Sequence, residues 1–309
     1  MRFFPTIFLL AALILPNFYV HDASACACGC GVLNVGTSSL IPNSEGGTAF
    51  LQYDYMSQSR NWHDSSKSDL DNHDKRIETQ TVTAGAQYMF NRDWGAAIRV
   101  PYITRSAANW PDSDETPYER HDDIGDISVM GIYSGFSDNM SSGITFGLKL
   151  PTGATKDANF ERNTQIGTGT VDSILGAYHV GKFSPQSKAG YFAQTSWDQP
   201  LDGHSGYKPG YEVSGAIGTY YNAGSVGIAK RITPIVQFTG AHKSKDSGWA
   251  DPDHNPNSGY NMVFFAPGVE ITLKQFKIYA DVELPVYRNV NGVQLVPQNL
   301  YKVILGYNF

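Results

Sequence analysis

Apolar and polar residues alternate along most of the chain at a period of two, the spacing of a strand with two unlike faces. The clearest run is the last. Tyr301, Val303, Leu305, Tyr307 and Phe309 point one way, and Lys302, Gly306 and Asn308 the other. Phe276, Ile278, Ala280, Val282, Leu284 and Val286 repeat the pattern, with Lys277, Asp281 and Glu283 opposite. Ile144, Phe146, Leu148 and Leu150 alternate with Thr145, Gly147 and Lys149, while Trp94, Ala96, Ile98 and Val100 alternate with Gly95, Ala97 and Arg99. Breaks fall at clusters of Gly, Asn, Asp, Ser and Pro. The pattern predicts strands near Gly47–Ser57, Ile77–Phe90, Trp94–Thr104, Asp123–Phe136, Gly143–Pro151 and Gly169–Gly181. Six more are expected near Lys188–Asp198, Gly210–Asn222, Val226–Ala241, Gly259–Leu273, Phe276–Arg288 and Asn299–Phe309.

The connections carry independent information because their lengths alternate. Asn91–Asp93, Ser137–Ser141, Ser184–Ser187, Asn222–Ser225 and Lys274–Gln275 are short. Gln58–Arg76, Arg105–Asp122, Thr152–Thr168, Gln199–Pro209, His242–Ser258 and Asn289–Gln298 are long. Short turns at one end and long loops at the other, with an even number of strands, belong to an outer-membrane barrel. The fold expected is therefore all-β, a single closed antiparallel transmembrane β-barrel of about twelve strands. In lipid every backbone polar group must be bonded internally, so the sheet must close. The apolar face then meets lipid. Asp54, Arg99, Lys149, Glu212, Lys277, Asp281 and Glu283 fall on the opposite face and are the candidate lumen residues. Pro101, Pro151 and Pro285 lie near strand ends, where a lost ladder bond matters least, and Pro234 and Pro267 are expected to mark bulges.

Ahead of the barrel, Arg2, an apolar run from Phe8 to Leu15 and the small-residue string Ala23-Ser24-Ala25 read as a secretory signal peptide. The expected organisation is 1–25 signal peptide, 26–46 a periplasmic Cys-containing segment, and 47–309 the outer-membrane β-barrel. Both termini of the mature chain then lie in the periplasm. Cys26, Cys28 and Cys30 are the chain's three cysteines. They cannot staple distant parts of the fold, and their alternate spacing would suit a soft metal ion such as Cu(I). A local disulfide and a lipid on Cys26 are the competing readings. No other cofactor is expected.

Composition narrows the class. Charged residues are 17% of the 309 and aromatics 13%, with 31 Gly, which favours strands and turns over disorder or coiled coil. A net charge of -6 gives no reason to expect nucleic acid. The loops hold His63, His73, His121 and His254 beside carboxylates, a donor set that suits divalent metals. Exposed loops are also polar simply because they face water and lipopolysaccharide. Neither a Gly-x-Ser-x-Gly elbow nor a His-Glu-x-x-His pair occurs, so an enzyme is not expected.

Three stretches carry a resemblance: Ile124-Gly125-Asp126-Ile127-Ser128, Gly147-Leu148-Lys149-Leu150-Pro151-Thr152-Gly153, and Gly167-Thr168-Gly169-Thr170-Val171-Asp172. Together with Leu284-Pro285-Val286-Tyr287, Asn291-Gly292-Val293-Gln294-Leu295 and the terminal Gly306-Tyr307-Asn308-Phe309, they resemble the transporter-like outer-membrane barrel family of the meta-pathway phenol-degradation type. The resemblance covers roughly residues 80–309 and implies uptake of aromatic compounds. The function expected is a porin-like outer-membrane channel or transporter for a small-molecule solute. The alternatives are a metal-binding outer-membrane protein using the Cys tail or the His/Asp loops, and a structural or enzymatic barrel. The partners expected are outer-membrane lipid, lipopolysaccharide and the barrel-insertion machinery that reads the aromatic C-terminal strand.

Overall fold

The computed structural model describes residues 40–42, 44–70, 75–108, 118–157, 160, 162–250, 252 and 255–309. The expected signal peptide, Cys26, Cys28, Cys30, His73 and His254 lie outside the described residues.

One antiparallel sheet closes on itself. Gly46–Asp64 pairs with Arg76–Met89 on one edge and with the C-terminal run on the other, from Thr48 opposite Asn308 through Asp54 opposite Lys302. Neighbours in sequence then pair in turn, and the contact of Glu212–Tyr221 with Ala229–Lys243 joins the two halves of the ring. The C-terminal run, Phe276–Asn308, is continuous in strand conformation for 33 residues. Fully extended it would span roughly 110 Å. Yet the Asn308 N–H donates to the Gln275 carbonyl at 2.9 Å, so the run is a hairpin. It reverses at Asn291–Gly292, where Gly292 has φ +64°, a left-handed turn conformation open to glycine. Its first half pairs with Tyr260–Leu273 and its second with Gly46–Asp64.

Counted this way, the described residues form twelve staves. They are Gly46–Asp64, Arg76–Met89, Trp94–Ala108, a broken stave of Tyr118–Ile124 and Ile127–Tyr133, Ser142–Leu150, Asp172–Lys182, Ala189–Pro200, Glu212–Tyr221, Ala229–Lys243, Tyr260–Leu273, 276–290 and 293–308. Two of the expected long loops are corrected. Gln58–Asp64 continues the first strand, paired as far as Val290, so 58–64 and 290–297 build a hairpin wall beyond the barrel. Alternation failed to reveal it because both faces are covered there: Val293, Gln294, Leu295 and Val296 are buried in succession, and Gln58 and Asn61 are buried opposite them, so apolar and polar residues do not alternate. The prolines also divide differently. Pro234 and Pro267 sit in unshifted register, and the shift falls between Val263 and Phe264, next to the pair Phe264–Pro285.

The two faces are chemically distinct. In the last strand Lys302 is 2% exposed, whereas its neighbours Tyr301 and Val303 are 46% and 44% exposed. More than a dozen outward side chains, among them Leu51, Val82, Ile98, Phe146, Leu148, Leu175, Ile217, Phe238 and Leu305, form an exposed apolar belt. Aromatic pairs gather at the short-turn end: Trp94–Tyr133 at 4.7 Å, Phe276–Tyr307 at 5.1 Å and Tyr88–Phe90 at 5.6 Å. Toward the long-loop end Tyr55 and Tyr301 stand 6.2 Å apart. Inside the ring at the short-turn end, Leu40 and Ile41 are buried with Phe50, Ile132, Tyr178 and Phe192. The end of the segment expected to precede the barrel thus lies within it.

Candidate functional site

The site is the lumen, and its shape starts from a proline. Pro101 has no N–H to give to the neighbouring stave. Opposite it, that stave breaks at Gly125–Asp126, and the register shifts by one residue between Tyr102–Ile124 and Arg99–Ser128. The Gly125 N–H donates to the Pro101 carbonyl at 2.8 Å. A one-residue bulge re-aims a side chain, and here Asp126 points into the lumen. Its carboxylate accepts the Gly153 N–H at 3.0 Å, the Thr168 N–H at 2.9 Å and the Thr168 hydroxyl at 2.7 Å. The Thr152 hydroxyl donates to the Gly125 carbonyl at 2.7 Å and accepts the Ile127 N–H at 3.0 Å. Gly153 and Gly167 pass so closely that a Cβ on Gly167 would lie 2.2 Å from the Gly153 carbonyl oxygen. The three stretches that carry the sequence resemblance are therefore parts of one clasp.

The clasp holds the connection between Ser142–Leu150 and Asp172–Lys182 inside the barrel mouth. Arg105, buried in the wall, donates from Nη1 to the Thr164 carbonyl at 2.5 Å and the Gln165 carbonyl at 3.1 Å, and from Nε to Thr79 at 3.2 Å. Gln165 closes the loop on itself, donating to the Asp157 and Phe160 carbonyls at 2.8 and 2.6 Å. His121 Nδ1 lies 2.8 Å from the Asp157 carboxylate. The Arg162 guanidinium stacks 4.6 Å above the Tyr207 ring. A cavity of about 310 Å³ remains beneath the loop, lined by Arg162, Gln165 and Ile166 from the loop and by Asp54, Arg99 and Lys149 from the wall. A second, of about 130 Å³, lies against Leu40 and Ile41.

All seven sequence-derived lumen candidates are on the inner face. Lys149 bridges Asp172 at 2.5 Å and Asp198 at 2.8 Å, and the Thr170 hydroxyl donates to Asp172 at 2.6 Å. Glu212 accepts the Tyr260 hydroxyl at 3.0 Å and lines the same cavity. Asp54, Asp281 and Glu283 form a packed network around Lys302, whose ammonium is 3.3 Å from Glu283. In it Gln52 donates to Asp54 at 2.8 Å, Thr239 to Glu283 at 2.8 Å, and Gln237 to Asp281 at 3.1 Å. Arg99 stands apart, 5.7 Å from the Phe50 ring centre. Lys277 is inward but lies outside both cavities. Asp126 and Arg105 are structural mainstays of the lumen that strand parity did not single out, and Lys302, which parity placed inward, is a third that was not among the candidates.

Among the described residues no group of three His, Cys, Asp or Glu converges as a metal site. His63 is an exposed partner of Asp64 at 3.6 Å, and His121 is committed to Asp157.

The chain matches no family model and no curated protein sequence. Solved structures do match. An outer membrane channel from Pseudomonas putida F1 aligns with a TM-score of 0.64 at 12% identity, over 89% of this chain and 100% of that one. The beta domain of the Bordetella autotransporter Brka gives 0.51 at 11%, over 86% and 100%. The TodX monoaromatic hydrocarbon channel deltaS2 mutant gives 0.50 at 10%, over 91% and 94%. At these identities the likeness establishes the fold, a closed antiparallel barrel of the kind these outer-membrane proteins have.

Proposed function

We propose that the chain is a twelve-stranded outer-membrane channel that passes a small solute through a narrow lumen. The observation that carries this reading is the pairing of opposites in one closed sheet: an apolar belt outside and a charged, cavity-bearing lumen inside. A belt of that extent exceeds the few hundred Å² of apolar patch a water-soluble monomer exposes. In lipid the same belt is stabilising, and closure leaves no unpaired edge. The solved barrels of the same fold include channels. Most of the charged lumen groups, Lys149, Asp172, Asp198, Glu283 and Lys302 among them, pair with one another, which fits a conduit better than a catalytic centre. The short turns and both termini of the mature chain would face the periplasm, and the long loops the exterior.

A swelling assay on liposomes reconstituted with the full chain tests the proposal. Small solutes of graded size should enter at rates that fall steeply with size. Liposomes that stay as tight as protein-free ones, with the protein folded and inserted, would refute it.

A further inference from the structure

Resting on the reading of the lumen as a solute path, we infer that the junction of its two cavities is a binding site for a small amphipathic anion, a carboxylate on a one-ring or short apolar body. Four residues line both cavities: Arg99, Met130, Ser196 and Ser214. Arg99 is the charged one. Its guanidinium makes no ion pair and donates no hydrogen bond among the described residues, and it rests over the Phe50 ring. Its neighbours in charge are already committed or distant. Along the hydrogen-bonded row Arg99, Ser128, Lys149, the lysine is taken by Asp172 and Asp198. Asp54 lines the upper cavity with Arg99 and attracts it through space, but it lies outside ion-pair distance and is turned to the Lys302 network. A guanidinium held open toward a cavity is a fork matched to a carboxylate.

The lower cavity supplies the other half. Leu40, Ile41, Phe50, Ile132 and Tyr178 surround about 130 Å³. A protein cavity of about 150 Å³ lined by Leu, Ile and Phe admits benzene, so this one is of single-ring size. Thr145 and Gln194 on its margin leave it less apolar than a sealed core, as a site with a polar head requires. A neutral hydrocarbon would leave Arg99 unanswered, and a small inorganic anion would leave the apolar pocket wet. A molecule with both parts satisfies both.

Calorimetric titration of the folded, detergent-solubilised full chain with benzoate, acetate and benzyl alcohol tests the inference. Benzoate should bind saturably, and acetate and benzyl alcohol each at least about tenfold more weakly, because each lacks one half of the recognition. Arg99→Gln should weaken benzoate about tenfold or more, and Arg99→Lys should restore part of that loss. Equal binding of acetate or benzyl alcohol by the unmodified chain, or undiminished benzoate binding by a folded Arg99→Gln variant, overturns it. Planar-bilayer conductance separates this from the channel reading. Conductance without benzoate binding sinks the site alone, and benzoate binding without conductance sinks the channel alone.

Discussion

Lys302 shows how one residue holds the inner face together. It is the single ammonium among Asp54, Asp281 and Glu283, with 2% of its surface exposed, and Glu283 beside it is fully buried. Removing one partner of a buried pair strands the other charge and costs about 3–5 kcal/mol. Lys302→Met should therefore lower the barrel's unfolding midpoint in urea, and adding Glu283→Gln should recover part of the loss. An unchanged midpoint in the single variant would contradict the network. Asp126 works on the loop instead of the wall. Asp126→Ala removes three hydrogen bonds to a carboxylate, of which even one net contribution is about 1.5 kcal/mol or more. The expected outcome is faster proteolytic cutting between residues 153 and 168, with barrel heat-modifiability retained. Parity along the strands was enough to put Lys149, Asp281 and Glu283 on the inner face. It could not reveal the role of Asp126, because its partners lie 27 and 42 positions away and the bulge that aims it resets the parity of its own strand.

Elements follow the solvent they cross. Where strands carry the apolar belt, alternation is strict, and boundaries read from it stand close to the observed ones, as at Ser142–Leu150 and Tyr260–Leu273. Beyond the belt successive residues are buried on both faces, alternation fades, and the hairpin wall of 58–64 and 290–297 is invisible to it. The contrast is testable in one strand. Val303→Arg puts a charge on the lipid face, which near the midplane costs about 2–4 kcal/mol, so the folded, inserted fraction should fall. Normal insertion would count against the belt. At the rim, Tyr207–Lys208 and Ser247–Gly248 tie two loops together, and Asp246 beneath them is buried. Burial alone would raise its pKa. Lys243 at 3.0 Å, the Gly210 N–H and the Tyr207 hydroxyl outweigh burial and hold the carboxyl below its usual range. A depressed carboxyl contributes stability above its unfolded pKa, about 3.9, and loses it as pH falls through the lower folded value. The rim should therefore loosen only below about pH 4, seen as faster proteolysis of residues 244–259, and Asp246→Asn should be loosened already at neutral pH. Equal cutting of both proteins at pH 7 would contradict this role of Asp246 at the rim.

For the whole molecule, closure was legible from the chain because two independent patterns, strand parity and the alternation of short and long connections, both demanded it. The contents of the lumen were not. Leu40 and Ile41 fill the short-turn end and the loop clasped by Asp126 fills the mouth, and both arrive there through contacts that no local periodicity encodes. The barrel that results is narrowed from both ends, with about 310 Å³ of cavity between. The most direct test is single-channel recording in planar bilayers on the full chain and on Asp126→Ala. The account predicts small steps from the unmodified protein, well below those of an open porin, and steps several-fold larger when the clasp is released. Silent bilayers from both proteins, each shown to be folded and inserted, would contradict it.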